Sequence, residues 1–345
     1  MSPVQNSAAI FNSVPQGYPV LNETITHASD TIDLDNVPLS GGTLVKSVYL
    51  SIDPYMRGRM RKPTSQASGN FVLGQPIRNF GIGKVIRSEK DGIHPGDLLY
   101  VHDLRFQVYN VLKSEHPIRV IKDEPDIPLS AYIGVLGMPG MTAFYGLEVV
   151  GNPVKGETIF VSSGASAVGS LVVQLAKAKG LKVIASVGSD DKVDFLKSIG
   201  VDAAFNYKTQ SIADVLAKEG PIDIYWDNVG GPTLEAALDA CNTNARIVVC
   251  GAISQYNASE PYGIKNTTHI LYKQLTVRGF GVLTLEPEYE GQANNPVKFL
   301  NALVPLIQSG KIKWSEQIYK GIESAGEGII AVQTGSNPAK VVIEV

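Results

Sequence analysis

The sequence predicts an α/β protein: a parallel, doubly wound sheet joined to a separate β-rich region. Three features carry that expectation. Residues 158–179 run from an apolar strand through a turn of small residues into an amphipathic helix. Four further strands then alternate with helical stretches, as a parallel sheet with helices on both faces requires. The first 127 residues hold short β-branched runs and no sustained helical period.

Within that first region the strand signals are Thr43–Ser51, 81–87, 97–101 and 106–112, separated by Gly, Pro, Asn and Asp. The texture changes near Ile127. Residues 128–151 form an apolar, helix-capable segment. The strands that follow are Thr158–Ser162, Lys182–Val187, Ala203–Asn206, Ile222–Asp227 and 246–251. Helices at 190–199, 211–218 and 232–241 separate them, each opened by a helix-starting residue or a first-turn proline. A strand at 275–280 and a helix at 295–309 come next. The apolar tail 340–345 is expected to return as a strand to the N-terminal region.

Composition narrows the class. A chain of 345 residues suits two domains. A net charge of -3, with no basic cluster, offers nothing to attract nucleic acid. Two cysteines, Cys241 and Cys250, are too few for a disulfide framework and fit a reducing compartment. No Lys or Arg precedes Lys46, which argues against a secretory or mitochondrial leader. The apolar segment 133–151 is broken by Gly137, Pro139, Gly140 and Glu148, so it reads as a buried helix and not a membrane span. A soluble, cytoplasmic protein is expected.

The stretch 158–179 suggests what it binds. Val168, Leu171, Val172, Leu175 and Ala176 share one helical face, leaving the helix N-terminus and its unpaired N–H groups beside the turn. That is a site for an anion such as a dinucleotide pyrophosphate. The turn reads Gly164-Ala165-Ser166-Ala167-Val168-Gly169, with Ser166 where the middle glycine of G-x-G-x-x-G belongs. Either the phosphate sits farther out or the Ser166 hydroxyl joins in holding it. The strand Lys182–Val187 ends in Ser186, Val187 and Gly188, without the acid that binds an NAD ribose. Asp190 and Asp191 lie at the right distance by counting, but they also suit the first turn of the next helix. Lys192 and Tyr207 could fill the gap around a 2′-phosphate, although Lys192 could equally be a solvated lysine.

Several motifs then resemble one family. They are Ser51-Ile-Asp-Pro-Tyr-Met-Arg57, Leu136-Gly-Met-Pro-Gly-Met-Thr-Ala143, Ser189-Asp-Asp-Lys-Val193, Phe205-Asn-Tyr-Lys208, Asp227-Asn-Val-Gly-Gly231 and Cys250-Gly-Ala-Ile-Ser-Gln-Tyr-Asn257. In this order they resemble the zinc-free medium-chain reductases: leukotriene B4 dehydrogenases (prostaglandin reductases), plant alkenal double-bond reductases and curcumin reductases. The resemblance implies a Rossmann nucleotide domain at 131–310. It also implies a GroES-like β-barrel catalytic domain from 1–130 and 311–345. NADPH would be the cofactor, and the carbon–carbon double bond of an α,β-unsaturated aldehyde or ketone the target. A homodimer is implied as well.

Carried over residue by residue, the resemblance puts Ser166, Ala167, Val168 and Gly169 at the pyrophosphate. Gly188, Lys192 and Tyr207 fall at the 2′-phosphate, Asn228 and Cys250 along the cofactor, and Asn337 at a phosphate. Met138 and Thr142 flank the nicotinamide, and the backbone of Phe280 and Val282 meets its carboxamide. Tyr256 and Tyr55 are the catalytic candidates, with Tyr55, Phe80 and Leu283 lining the substrate pocket. Phe80 replaces a pocket tyrosine of the plant enzymes. Residues 283–292, with Pro287 and Gly291, read as a loop at the mouth of the site.

The chemistry asks for little beyond this. No cysteine precedes Cys241, and His94 and His102 lack partners at ligand spacing, so no metal is expected. Enone reduction builds negative charge on the carbonyl oxygen, and a hydroxyl donor held there stabilises it. Asp53 and Arg57 are expected to pair with each other. A quinone reductase of the same superfamily and a non-catalytic NADPH-binding protein are the alternatives.

Overall fold

The computed structural model describes residues 3–62, 69–122 and 124–345. The chain divides into two compact units, Val135–Ser315 and one assembled from both ends, Met1–Gly134 with Glu316–Val345.

The central unit is built on six parallel strands. Their order is Ala203–Asn206, Lys182–Val187, Thr158–Ser162, Ile222–Asp227, Cys241–Val249 and Thr276–Gly279. The chain steps outward from Thr158–Ser162 in one direction and then restarts beside it with Ile222–Asp227. That reversal opens a crevice at the strands' carboxyl ends, where ligands of such sheets bind. The interior strands are apolar on both faces, as helices on either side demand. Phe160 stacks on Tyr225 with ring centroids 5.1 Å apart, and on Phe205 at 6.3 Å.

Several elements depart from the sequence reading. The segment 128–151 is a 3-10 turn Leu129–Ile133, an α-helix Met138–Tyr145 and a π-helical turn Gly146–Gly151. Gly140 allows the close approach within it, since a Cβ there would lie 1.8 Å from the Val135 carbonyl oxygen. The expected loop 283–292 is instead largely a helix, Val282–Glu290, with Pro287 inside it. Proline costs that helix a hydrogen bond, but its far end is tied down. The Tyr145 hydroxyl donates to Glu290, and Glu290 accepts the N–H groups of Lys298 and Phe299. Gly291, at φ +89°, then ends the helix in the left-handed region.

In the second unit the strand order is Glu316–Lys320, Lys340–Glu344, Thr43–Ser51, Arg78–Ser88, Leu98–Arg105 and Ile118–Val120, with Tyr109–Leu112 also paired to Thr43–Ser51. The C-terminal strand runs antiparallel to Thr43–Ser51, Val342 opposite Ser51. A two-stranded antiparallel pair, Val4–Phe11 and Ile25–Ile32, is bridged to segments flanking this sheet's strands through Ala8–Gln107 and Ile10–Pro76. Phe11, Leu50, Ile52, Leu104, Phe106, Ile329 and Ile343 are among its core residues. Among the described residues no helix is long and apolar enough to cross a membrane.

Candidate active site

The turn after Thr158–Ser162 needs two of its glycines for space. A Cβ on Gly164 would lie 2.8 Å from that of Ala185, and one on Gly169 would lie 2.3 Å from the Ser163 carbonyl oxygen. Between them, Ser166 Oγ accepts the Gly169 N–H at 3.0 Å, and the Ser166 carbonyl accepts that of Ser170. The serine thus caps the helix, which begins at Gly169 and not at Ala167. Its hydroxyl proton stays available to a ligand. The N–H groups of Ala167 and Val168 meet no acceptor among the described residues. They are donors suited to an anion at a helix N-terminus.

At the end of the second strand, Asp190 and Asp191 occupy the first helical turn, and Asp190 accepts from the Asn206 side chain at 2.9 Å. The gap left by the absent acid is filled from the next strand. A Cβ on Gly188 would lie 3.2 Å from the Tyr207 hydroxyl and 3.5 Å from Lys208 Cε. Lys192 has its pKa lowered by burial and by the positive charge of Lys208. Two mutually repelling ammonium groups, one of them beside the Tyr207 phenol, suit a dianion. Lys208 was not singled out from the sequence. Its signal is adjacency to Tyr207 on the end of a strand.

Farther along the crevice edge, Asn228 is fixed at the end of Ile222–Asp227. Its amide nitrogen donates to the Ser162 carbonyl at 2.7 Å, and its Oδ1 accepts from Trp226 Nε1 at 3.1 Å. Cys250 and Gly251 both donate backbone N–H groups to the Asp227 carbonyl. The Cys250 thiol is pushed up to about 12 by burial, so it is protonated and unreactive. Tyr256 folds back over this loop: its hydroxyl oxygen accepts the Ala252 N–H at 3.2 Å. Burial raises its pKa, while that N–H opposes the rise. Asp227 accepts from Tyr225 and from the N–H groups of Val229 and Gly230, and burial raises its pKa.

Met138 and Thr142 stand one helical turn apart, with the Thr142 hydroxyl donating to the Met138 carbonyl at 2.8 Å. Phe280 packs edge-on against Trp226, and Val282 opens the helix that carries the exposed Leu283.

The end-assembled unit holds the remaining candidates. The Tyr55 hydroxyl donates to Asn79 Oδ1. Asn79 in turn donates to Asp53 at 2.9 Å, and Asp53 pairs with Lys340 at 3.0 Å. This overturns the expected Asp53–Arg57 pair, because Arg57 reaches the carbonyls of Pro15 and Gly17. Asp53 and Lys340 lie nearly 290 residues apart, too distant for sequence adjacency to suggest the pairing. Phe80 is packed between Tyr100 and His102, with centroids 5.7 and 5.0 Å away. Asn337 spends its amide on the Ala339 carbonyl. Among the described residues no group of three or more His, Cys, Asp or Glu could hold a metal ion.

A sheet whose order reverses at its first strand, an anion-ready turn and a cationic cluster beside its second strand together define a dinucleotide-binding oxidoreductase fold. Family models agree: residues 167–295 match one described as zinc-binding dehydrogenase, and residues 8–120 the N-terminal domain of oxidoreductase. The 2-alkenal reductase (NADP(+)-dependent) of Nicotiana tabacum is 39% identical, over 99% of this chain and 98% of the relative. Prostaglandin reductase 1 of Bos taurus is 34% identical, over 89% of this chain and 91% of that one. The structure of CurA from Vibrio vulnificus in complex with NADPH superposes with a TM-score of 0.86. It is 32% identical and covers 98% of this chain and 99% of that one. The chain belongs to the medium-chain dehydrogenase/reductase family, in the branch of the alkenal and prostaglandin reductases.

Proposed function

We propose that this protein is an NADPH-dependent reductase of the carbon–carbon double bond in α,β-unsaturated aldehydes and ketones. The observation that carries the reading is full-length likeness to an NADP-dependent 2-alkenal reductase, joined to a second strand that ends in Gly188 beside Lys192, Tyr207 and Lys208. When bound, NADPH supplies the hydride that reaches the β-carbon of the substrate. The chain's own groups do the rest. Ala167 and Val168 N–H groups and the Ser166 hydroxyl hold the pyrophosphate. The Lys192–Tyr207–Lys208 cluster selects the 2′-phosphate. Met138 and Thr142 flank the nicotinamide, the backbone of Phe280 and Val282 meets its carboxamide, Asn228 and Cys250 lie along the cofactor, and Asn337 serves a phosphate. Tyr256 donates to the substrate's carbonyl oxygen as negative charge develops there, a contact of a kind whose removal costs about 3 kcal/mol. Tyr55 and Phe80 in the end-assembled unit, and Leu283 in the central one, are the candidates for contact with substrate.

The chemistry is read as zinc-independent. No cysteine precedes Cys241, so the N-terminal region offers no thiolate of the kind that holds zinc in related dehydrogenases. The unpaired, shielded cysteines also suit the cytoplasm. A homodimer is supported by the edge strand Thr276–Gly279, which is exposed along its length, and by Leu271 and Tyr272 beside it, each 75% exposed. Light scattering after size exclusion checks it, with twice the chain mass expected.

The test of function is NADPH oxidation with a panel of enals, enones, quinones and the corresponding saturated ketones. Conjugated enals and enones should be consumed and the saturated ketones left. Preference for the saturated ketone would reject the reading, and preference for quinones would move the protein to another branch.

A further inference from the structure

The helix Met138–Tyr145, which carries Met138 and Thr142, meets both ends of the segment 280–290 with its own far end. At Gly146, the next residue, a Cβ would lie 2.6 Å from Phe280 Cζ and 2.5 Å from Trp226 Cη2, so the ring of Phe280 rests where a side chain is missing. At the other end the Tyr145 hydroxyl donates to Glu290 Oε1 at 2.9 Å. The same carboxylate accepts the Phe299 N–H on Oε1 at 2.9 Å and the Lys298 N–H on Oε2 at 2.8 Å. Those two groups belong to the first turn of the helix Val297–Gln308, where N–H groups have no partner in their own helix. Around the carboxylate, Phe144 and Tyr145 pack on Tyr289 and Phe299 with ring centroids between 5.5 and 5.9 Å apart.

Left to itself, the helix Val282–Glu290 is poorly held. Pro287 has no N–H to give the Leu283 carbonyl, and Glu290 puts a negative charge at the negative end of the helix dipole. Donors from two other helices offset both defects, and every partner lies in the central unit. We infer that Tyr145 and Glu290 are positioning residues for the nicotinamide half of the cofactor. They clamp the segment 280–290 against the helix Met138–Tyr145, so that the backbone of Phe280 and Val282 is in place before the dinucleotide arrives. Tyr145 is fully buried and acts through the segment, not on the ligand. The assignment rests on the reading that this backbone meets the carboxamide. The groups read as holding the 2′-phosphate, Lys192, Tyr207 and Lys208, stand on other elements, so loss of the clamp should be felt at one half of the cofactor only.

Titrations of NADPH and of adenosine 2′,5′-bisphosphate, which keeps the 2′-phosphate and lacks the nicotinamide, test it. A segment in place about a tenth of the time raises the apparent Kd roughly tenfold. Glu290→Ala should weaken NADPH by roughly that factor, and Tyr145→Phe, which keeps the ring and removes the hydroxyl, by about threefold. The bisphosphate should stay within about a factor of two in both, and Tyr145→Phe added to Glu290→Ala should cost nothing further. Equal losses for the two ligands overturn the assignment, as do independent losses in the double variant. So does a lowered thermal midpoint with both affinities intact, which marks a purely structural cap. If Glu290→Ala does not fold, the same two ligands on Tyr145→Phe decide. Wild-type protein that binds NADPH no more tightly than the bisphosphate would overturn the nicotinamide placement itself, and the assignment with it.

Discussion

The ammonium of Lys340 lies 3.0 Å from the carboxylate of Asp53, with both side chains 5% exposed, and it joins the C-terminal strand to the segment that carries Tyr55. Lys340 also donates to the Ser51 hydroxyl at 2.8 Å and the Ile52 carbonyl at 2.5 Å. Removing one partner of such a pair strands the other charge in a dry interior, at about 3–5 kcal/mol. Lys340→Met should therefore lower stability by that order, read as a shift in the denaturant midpoint. Lys340→Met with Asp53→Asn should recover part of it. Equal losses in the single and double variants would show that the isolated charge is not the cause.

Lys192 and Lys208 lie close enough for their charges to repel, Lys208 beside Gly188, and an anion bound there would relieve that repulsion. Lys192→Ala and Lys208→Ala should each weaken NADPH roughly tenfold, since a charge-assisted contact contributes about 1.5–3 kcal/mol. NADH binding should barely change. Titration of both nucleotides by fluorescence checks this, and equal losses for the two would remove the lysines from the 2′-phosphate.

Tyr256 keeps its proton for a ligand, so Tyr256→Phe removes a donor, and with it the oxygen that accepts the Ala252 N–H in its own loop. Turnover should fall by about a hundredfold while NADPH affinity stays within a factor of two or so. A variant with unchanged kcat would exclude Tyr256 from catalysis.

The sheet was legible because its strands are short apolar runs between helix starts, a pattern that survives without any tertiary knowledge. The hairpin pair Val4–Phe11 and Ile25–Ile32 was not, because ITHASDTI is exposed along most of its length and shows no apolar face. The helix Ala325–Thr334 was hidden by Gly326 and Gly328, which read as breakers. Gly328 is there for room: a Cβ would lie 3.1 Å from Val341 Cγ1. At the site, residues inside continuous motifs could be named, while Lys340, Asp53 and Asn79 meet only after the chain's two ends share a sheet.

His102 gives the protein a predictable acid sensitivity. Its ring packs edge-on against Phe80 and Tyr100, at 5.0 and 5.5 Å, and burial, followed by the charges of Arg119 and His116, lowers its pKa from 6.5 to about 4. The folded state therefore refuses a proton that the unfolded chain accepts. Stability tied to the neutral ring is complete above pH 6.5 and is lost as pH falls toward 4, on the order of 3 kcal/mol in all. Carboxylates titrate in the same window, so the comparison must be with His102→Gln, which keeps them and removes the imidazole. Denaturant unfolding at a series of pH values should show the wild type losing stability relative to the variant between pH 6.5 and 4. A difference that stays constant across that range would mean the ring protonates as freely in the folded protein as in the unfolded chain, and the packing of Phe80 against it would have to be looser than the geometry indicates.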